Sequence, residues 1–167
     1  QPGHLGGQPM SMGGGGATAL ERAHMLRVKE GVCIACLLRC AAGLLPYQWV
    51  QVGHDGTDAT FWGMLEAHHT KSGNVRRGHF MTVGLCPWHH RGNQAMPPSG
   101  WPHALLRDRY GVSLADGRGL YFRQAYGTDD ELLEVQAAYL DGELGPTPWP
   151  TPWSDAINAT NERGEQA

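Results

Sequence analysis

The sequence predicts an α+β fold: a small ββα core built around a metal site, with flanking helices and disordered termini. Three observations carry that expectation. Two short apolar segments, Phe61 to His68 and Phe80 to Leu85, bracket a polar loop and run into the histidine-rich stretch Pro87-Trp-His-His90. A C-x-x-C knuckle (Cys33, Cys36) and a C-x-x-H knuckle (Cys86, His89) lie far apart in the chain. Thr18-Ala-Leu-Glu21 and Thr128-Asp-Asp-Glu131 are capping boxes, in which the hydroxyl and the carboxylate each satisfy the other residue's backbone N–H, so each opens a helix.

In chain order, residues 1–16 form a Gly-rich head with almost no charge, unable to bury a core and expected to be disordered. The folded domain is expected over 17–144. A helix starts near Ala19 and stops at Gly31. Cys33 to Cys36 then forms a tight knuckle, and 37–61 carries little local signal. Phe61 to His68 reads as a strand, Thr70 to Gly78 as a polar loop, and Phe80 to Leu85 as a second strand paired antiparallel with the first. Pro87 suits the first turn of a short helix. Helices follow at 103–110, 117–126 and 129–140. The last carries Leu132, Val135, Tyr139 and Leu140 at helical spacing, a stripe for the core. Residues 145–167 form a Pro/Trp-rich, disordered tail.

The composition fits one modest domain. The 167 residues include 24 Gly and 11 Pro, with only 17% charged, so the small core of a loop-rich chain needs a staple. No apolar run reaches about 18 residues, so neither a transmembrane helix nor a membrane partner is expected. No basic region followed by an apolar one suggests a signal peptide. Without a secretion signal, Cys33, Cys36, Cys40 and Cys86 suggest metal ligation in a reducing compartment, the cytoplasm, rather than disulfides.

A net charge of −3 argues weakly against a nucleic-acid partner, but the charge is unevenly placed. From Met64 to Arg107 the cations are Lys71, Arg76, Arg77, Arg91 and Arg107, against the single acid Glu66. Phosphate binding follows the local field, which makes Lys71, Arg76, Arg77 and Arg91 candidate DNA contacts. An ordinary solvated surface would have the same composition.

Cys33, Cys36, Cys86 and His89 make the four ligands of a closed structural zinc site. Two knuckles far apart in sequence would clamp the end of the first helix to the end of the second strand. Buried or redox-active thiols are the competing reading. Cys40 falls outside this pattern and reads as a small core residue.

Six of the nine histidines fall between positions 68 and 103. Neighbours in a strand face opposite sides, so at the strand end one imidazole of His68-His69 can hold a metal while the other reaches substrate. His90 is fixed beside the zinc ligand His89. Phosphodiester hydrolysis needs a base for water and a cation for the phosphate and leaving group. His69 is assigned as general base, and His68 and His90 as ligands of a catalytic Mg, Mn or Zn ion.

These residues carry a resemblance. Glu66-Ala-His-His69, Gly78-His79, Thr82 and Leu85-Cys-Pro-Trp-His-His-Arg-Gly92 resemble the HNH (His-Me finger) endonuclease superfamily. Within it, the chain is most similar to the Ref-type recombination-enhancement, RecA-dependent nucleases of phages. The stretch from Ser113 to Gly127 and Glu131 to Leu133 resembles that family's C-terminal helices. The likeness covers roughly residues 28–140. It implies a ββα-metal fold, DNA cleavage, a RecA-type filament as partner and a bacterial, phage-encoded setting. The middle Asn of the HNH name has no match, since Met81 or Thr82 stands near its place. His79 either takes over its function or orders the loop. A His near Ala115 would give relatives a third metal ligand; here only Asp116 is close.

Two other functions fit the same residues. A zinc-dependent nucleic-acid-binding module without catalysis needs the zinc and the basic loop but not His69. An adaptor would need only the fold.

Overall fold

The computed structural model describes residues 16–46, 49–53, 65–92 and 102–142. Most of the expected head, the tail and the start of the first strand lie outside these residues. The architecture is mixed α and β, as the sequence predicts.

Helix α1 spans Ala19–Glu30, and its capping box is complete: Thr18 Oγ1 accepts from Glu21 N, and Glu21 accepts from Thr18 N. Cys33 ends a short extended segment and becomes the N-cap of α2, Ile34–Ala41. The expected isolated knuckle is thus the first turn of a helix. Ile34, Ala35, Leu38, Cys40 and Ala41 are all buried, so a continuous apolar face favours helix where local signals are weak.

Strand β1, Glu66–His69, pairs antiparallel with a later strand, Thr82–Leu85, in the register Glu66↔Leu85, Ala67↔Gly84, His68↔Val83 and His69↔Thr82. The intervening polar loop folds into its own hairpin: β2, Lys71–Ser72, against β3, Val75–Arg76, with Gly73 at φ +61° supplying the left-handed turn residue. Thr82–Leu85 is therefore β4. It begins later than expected, because Phe80 and Met81 remain exposed in the approach to it.

Helix α3, Pro87–Arg91, starts at Cys86 with Pro87 in its first turn and ends on Gly92 at φ +61°. Helix α4 covers His103–Tyr110. A tight turn at Asp116–Gly119 precedes α5, Leu120–Tyr126, so this helix begins three residues after its predicted start. Helix α6, Asp129–Leu140, opens on a complete second capping box at Thr128 and Glu131.

The β1–β4 pair is too small to be stable alone and is covered by helices. Trp88, Phe122, Ile34, Leu38, Leu65, Leu85 and Leu106 are fully buried around it. Helix α6 also covers β4: the backbone N–H of Gly84 donates to Gln136 Oε1 at 2.8 Å, which satisfies a buried strand donor. Trp88 donates its indole N–H to Gly111 O at 3.0 Å, tying α3 to the end of α4.

Candidate metal centre and histidine cleft

The four knuckle residues meet. Cys33 and Cys36 come from the start of α2, Cys86 and His89 from the start of α3, and all are fully buried. Their ligand atoms lie within 4.8 Å of one another. His89 Nδ1 is 3.4, 3.5 and 3.3 Å from the sulfurs of Cys33, Cys36 and Cys86. Metal–ligand bonds of about 2.0–2.3 Å in a tetrahedron give nitrogen–sulfur edges of about 3.5 Å, so the donors are spaced for zinc. His89 donates its Nε2–H to Tyr110 O at 2.8 Å, while Tyr126 Oη lies 3.2 Å from the same nitrogen. That bond selects the tautomer with an Nδ1 lone pair facing the sulfurs. Burial raises the thiols of Cys36 and Cys86. Burial also opposes ionisation of Cys33, but hydrogen bonds from Cys36 and Cys86 outweigh it and draw that thiol down. The four residues could hold a metal such as zinc. Cys40, also buried, stands outside the cluster.

The helix that carries His89 also carries His90 on its more exposed side. His90 and His68 face each other with ring centroids 5.1 Å apart, edge to face. His90 donates its Nδ1–H to Glu66 Oε2 at 2.5 Å, leaving Nε2 as the available donor atom. Arg91 grips the same carboxylate in a fork, with distances of 3.0 and 2.6 Å. Burial, then the charge of His90, pushes the His68 imidazole down to about 4, so it is neutral near pH 7. Among the described residues, no third His, Cys, Asp or Glu donor gathers with this pair.

His69 points to the other side of β1, as strand alternation requires. Its Nε2 lies 3.0 Å from His79 Nδ1. Burial, then the Arg76 and His79 charges, lowers its pKa. Thr82 stands opposite His69 in the register, and its hydroxyl donates to His79 O at 3.2 Å. The position near the missing Asn is therefore occupied by a residue that holds the His79 backbone. Asp116 is turned away: it accepts from Ser113 N at 2.9 Å and pairs with His103 at 3.2 Å.

His68 and His90 open into a cleft of about 870 Å³ between β2, α3 and the turn before α5. Lys71 and Arg77 line it, along with Asp129, Asp130 and Ala115. Two of the expected DNA-contact cations are engaged within the protein. Arg77 pairs with Asp130 and Arg91 with Glu66, whereas Arg76 lies exposed on β3.

Sequence pattern alone assigns no role to Glu66, although it stands in the Glu66-Ala-His-His69 run. Nor does it single out Arg118 and Arg123, which line the same cleft. Arg118 has φ +55°, the left-handed region, between Gly117 and Gly119 at +58° and +79°. For a residue with a Cβ this costs on the order of 1 kcal/mol or more. The Gly-Arg-Gly run is the sequence signal for it.

The site thus joins a Cys3His cluster fit for zinc to an imidazole pair in a cleft lined by basic side chains. The chain belongs to the recombination enhancement, RecA-dependent nuclease family, whose profile matches residues 17–141. It is therefore an enzyme, a nuclease. No curated protein matches the chain at a significant level. No helix among the described residues is long and apolar enough to cross a membrane.

Proposed function

We propose that this nuclease is a metal-dependent DNA endonuclease with an HNH-type ββα-metal core, directed to its substrate by a RecA-type filament. The single observation that carries the reading is the His68–His90 pair, facing each other in the cleft with Glu66 behind His90. The order β1, β4, α3 around that pair supports the fold assignment, and the Cys3His cluster would fix α3 in place.

His68 and His90 would hold the catalytic ion. A bound Mg, Mn or Zn ion would supply charge stabilisation at the phosphate and leaving oxygen. His69 is the proposed general base; it lies on the face of β1 opposite His68 and outside the cleft lining, so its imidazole would have to turn past the strand's end to meet water at the ion. When its Nε2–H donates to His79 Nδ1, its own Nδ1 keeps a lone pair and can take a proton from water. His79 orients that ring. Water's oxygen then bonds to phosphorus as its proton passes to His69, the phosphorus–oxygen ester bond breaks with its electron pair going to the departing oxygen, and that oxygen takes a proton from solvent to become a hydroxyl. Lys71 and Arg76 remain the cations on the loop best placed to meet DNA.

The test is cleavage of single-stranded, duplex and recombinase-coated DNA with Mg, Mn or Zn, comparing the parent with His69→Ala. Loss of cleavage by about 10²-fold or more is expected, the usual contribution of a general base, with DNA affinity retained within a few fold. Equal nicking by the two proteins would refute His69 as the base. Binding without cleavage under every condition would favour a zinc-dependent nucleic-acid-binding module.

A further inference from the structure

We propose that Arg118 and Arg123 form a phosphate-binding wall of the histidine cleft, gripping backbone phosphates that flank the one presented to His68 and His90. The inference rests on the nuclease reading above and adds residues to its binding site.

Both arginines line the same cleft as His68 and His90. Its size is toward the upper end of about 300–1,000 Å³, the usual range for ligand clefts. Lys71, Arg77, Arg118 and Arg123 face two carboxylates there, Asp129 and Asp130. Arg77 is matched to Asp130. Asp129 accepts the backbone N–H of Lys71 at 3.3 Å. Neither Arg118 nor Arg123 forms an ion pair with a described residue, and both are exposed. They are thus available guanidinium forks, the geometry that matches phosphate oxygens.

The backbone at Arg118 strengthens the argument. Gly117, Arg118 and Gly119 take left-handed conformations in succession, and glycine would occupy the middle position without strain. An arginine held there against its own preference marks a side chain required for something other than folding. The turn is anchored from below: Leu114 N donates to His89 O at 2.8 Å, so the arginine wall is tied to the helix that carries His90.

The test compares Arg118→Gly and Arg123→Gln with Arg22→Gln. Arg22 lies on α1 outside the cleft, bonded to Ala17 O, and its substitution removes the same charge. Each protein, zinc-loaded as purified, is titrated with a labelled oligonucleotide at several salt concentrations, melted, and assayed for cleavage of the same strand. Arg118→Gly and Arg123→Gln should weaken binding about tenfold at low salt, the scale of a charged hydrogen bond. Each should also flatten the log–log salt dependence by about 0.7 for every single-strand phosphate that is no longer neutralised. Arg118→Gly should melt no lower than the parent, because it relieves the strained turn. Arg22→Gln should leave the slope unchanged. Cleft variants with the parent's affinity and slope would overturn the inference, as would an equal effect of Arg22→Gln. A parent that binds with these slopes but never cleaves would overturn the nuclease reading and leave the phosphate wall standing.

Discussion

Glu66 and His90 are joined across the β1–α3 junction by a 2.5 Å hydrogen bond from the imidazole Nδ1–H to the carboxylate, which presents the opposite ring nitrogen to the cleft. The bond spans 24 residues of sequence, so only the paired strands and the knuckle-anchored helix bring it about. Carboxylates behind ligating imidazoles fix ring orientation and raise basicity.

If His68 and His90 hold a catalytic ion as proposed, Glu66→Gln should weaken its binding about 10- to 100-fold while leaving the fold intact. The carboxylate side chain is 27% exposed, so the core packing is little affected. The measurement is nicking rate against metal concentration for parent and variant. A shift of the curve to higher metal with a recoverable plateau is expected. Identical curves would mean that Glu66 serves only Arg91.

The Cys3His cluster should behave as part of the fold. Zinc binding free energy is folding free energy where the site forms only in the folded chain. Cys33→Ala or Cys86→Ala should abolish stoichiometric zinc and cooperative melting. Cys40→Ala should retain the metal, because that thiol stands outside the cluster. Metal analysis and thermal melts decide the matter. A Cys33→Ala protein that melts like the parent removes the structural role.

Much of this framework is legible in the sequence because it is local. Thr18 with Glu21 and Thr128 with Glu131 signal helix starts within four residues, and both boxes form. The two knuckles are read from spacing, and the metal chemistry demands that they meet. Helix α2 escapes such a reading because its stabilisation comes from burying Ile34 and Leu38 against distant elements, not from caps or turns. The charge pattern does not reveal pairing: Arg77 finds Asp130, 53 residues away, and Arg91 finds Glu66. The left-handed Arg118 is invisible to helix periodicity, which simply runs α5 through it.

Gln136 tests how far α6 stabilises the strand pair. Its side chain is 2% exposed, and it accepts the Gly84 N–H, a buried donor facing away from β1. Gln136→Leu should keep the packing but strand that N–H. The same change removes the buried Gln136 Nε2, which has no hydrogen-bond partner, so the stranded N–H is partly offset and the expected net loss is about 1 kcal/mol, the low end for a buried unsatisfied group. Urea unfolding checks it. Unchanged stability would mean that water or a backbone shift satisfies Gly84.

The proposed recruitment by a filament agrees with the charge. With a net charge of −3 and with Arg77 and Arg91 already paired, the cations left at or beside the cleft to meet phosphates are Lys71, Arg76, Arg118 and Arg123. A small number of such pairings gives a shallow salt slope and weak binding to naked DNA at physiological salt. An enzyme of this kind gains from delivery by another protein already seated on the strand, and the family description names RecA dependence. Cleavage of one oligonucleotide should therefore rise when it carries a RecA-type filament, at matched salt and metal. Residues 1–16 are Gly-rich and residues 145–167 Pro/Trp-rich, and we propose them as the docking segments. Removing either should reduce the stimulation more than the basal rate. If naked DNA is cut as fast as filament-bound DNA at about 150 mM salt, where exposed charges are strongly screened, recruitment is wrong and the protein is a free-standing nuclease.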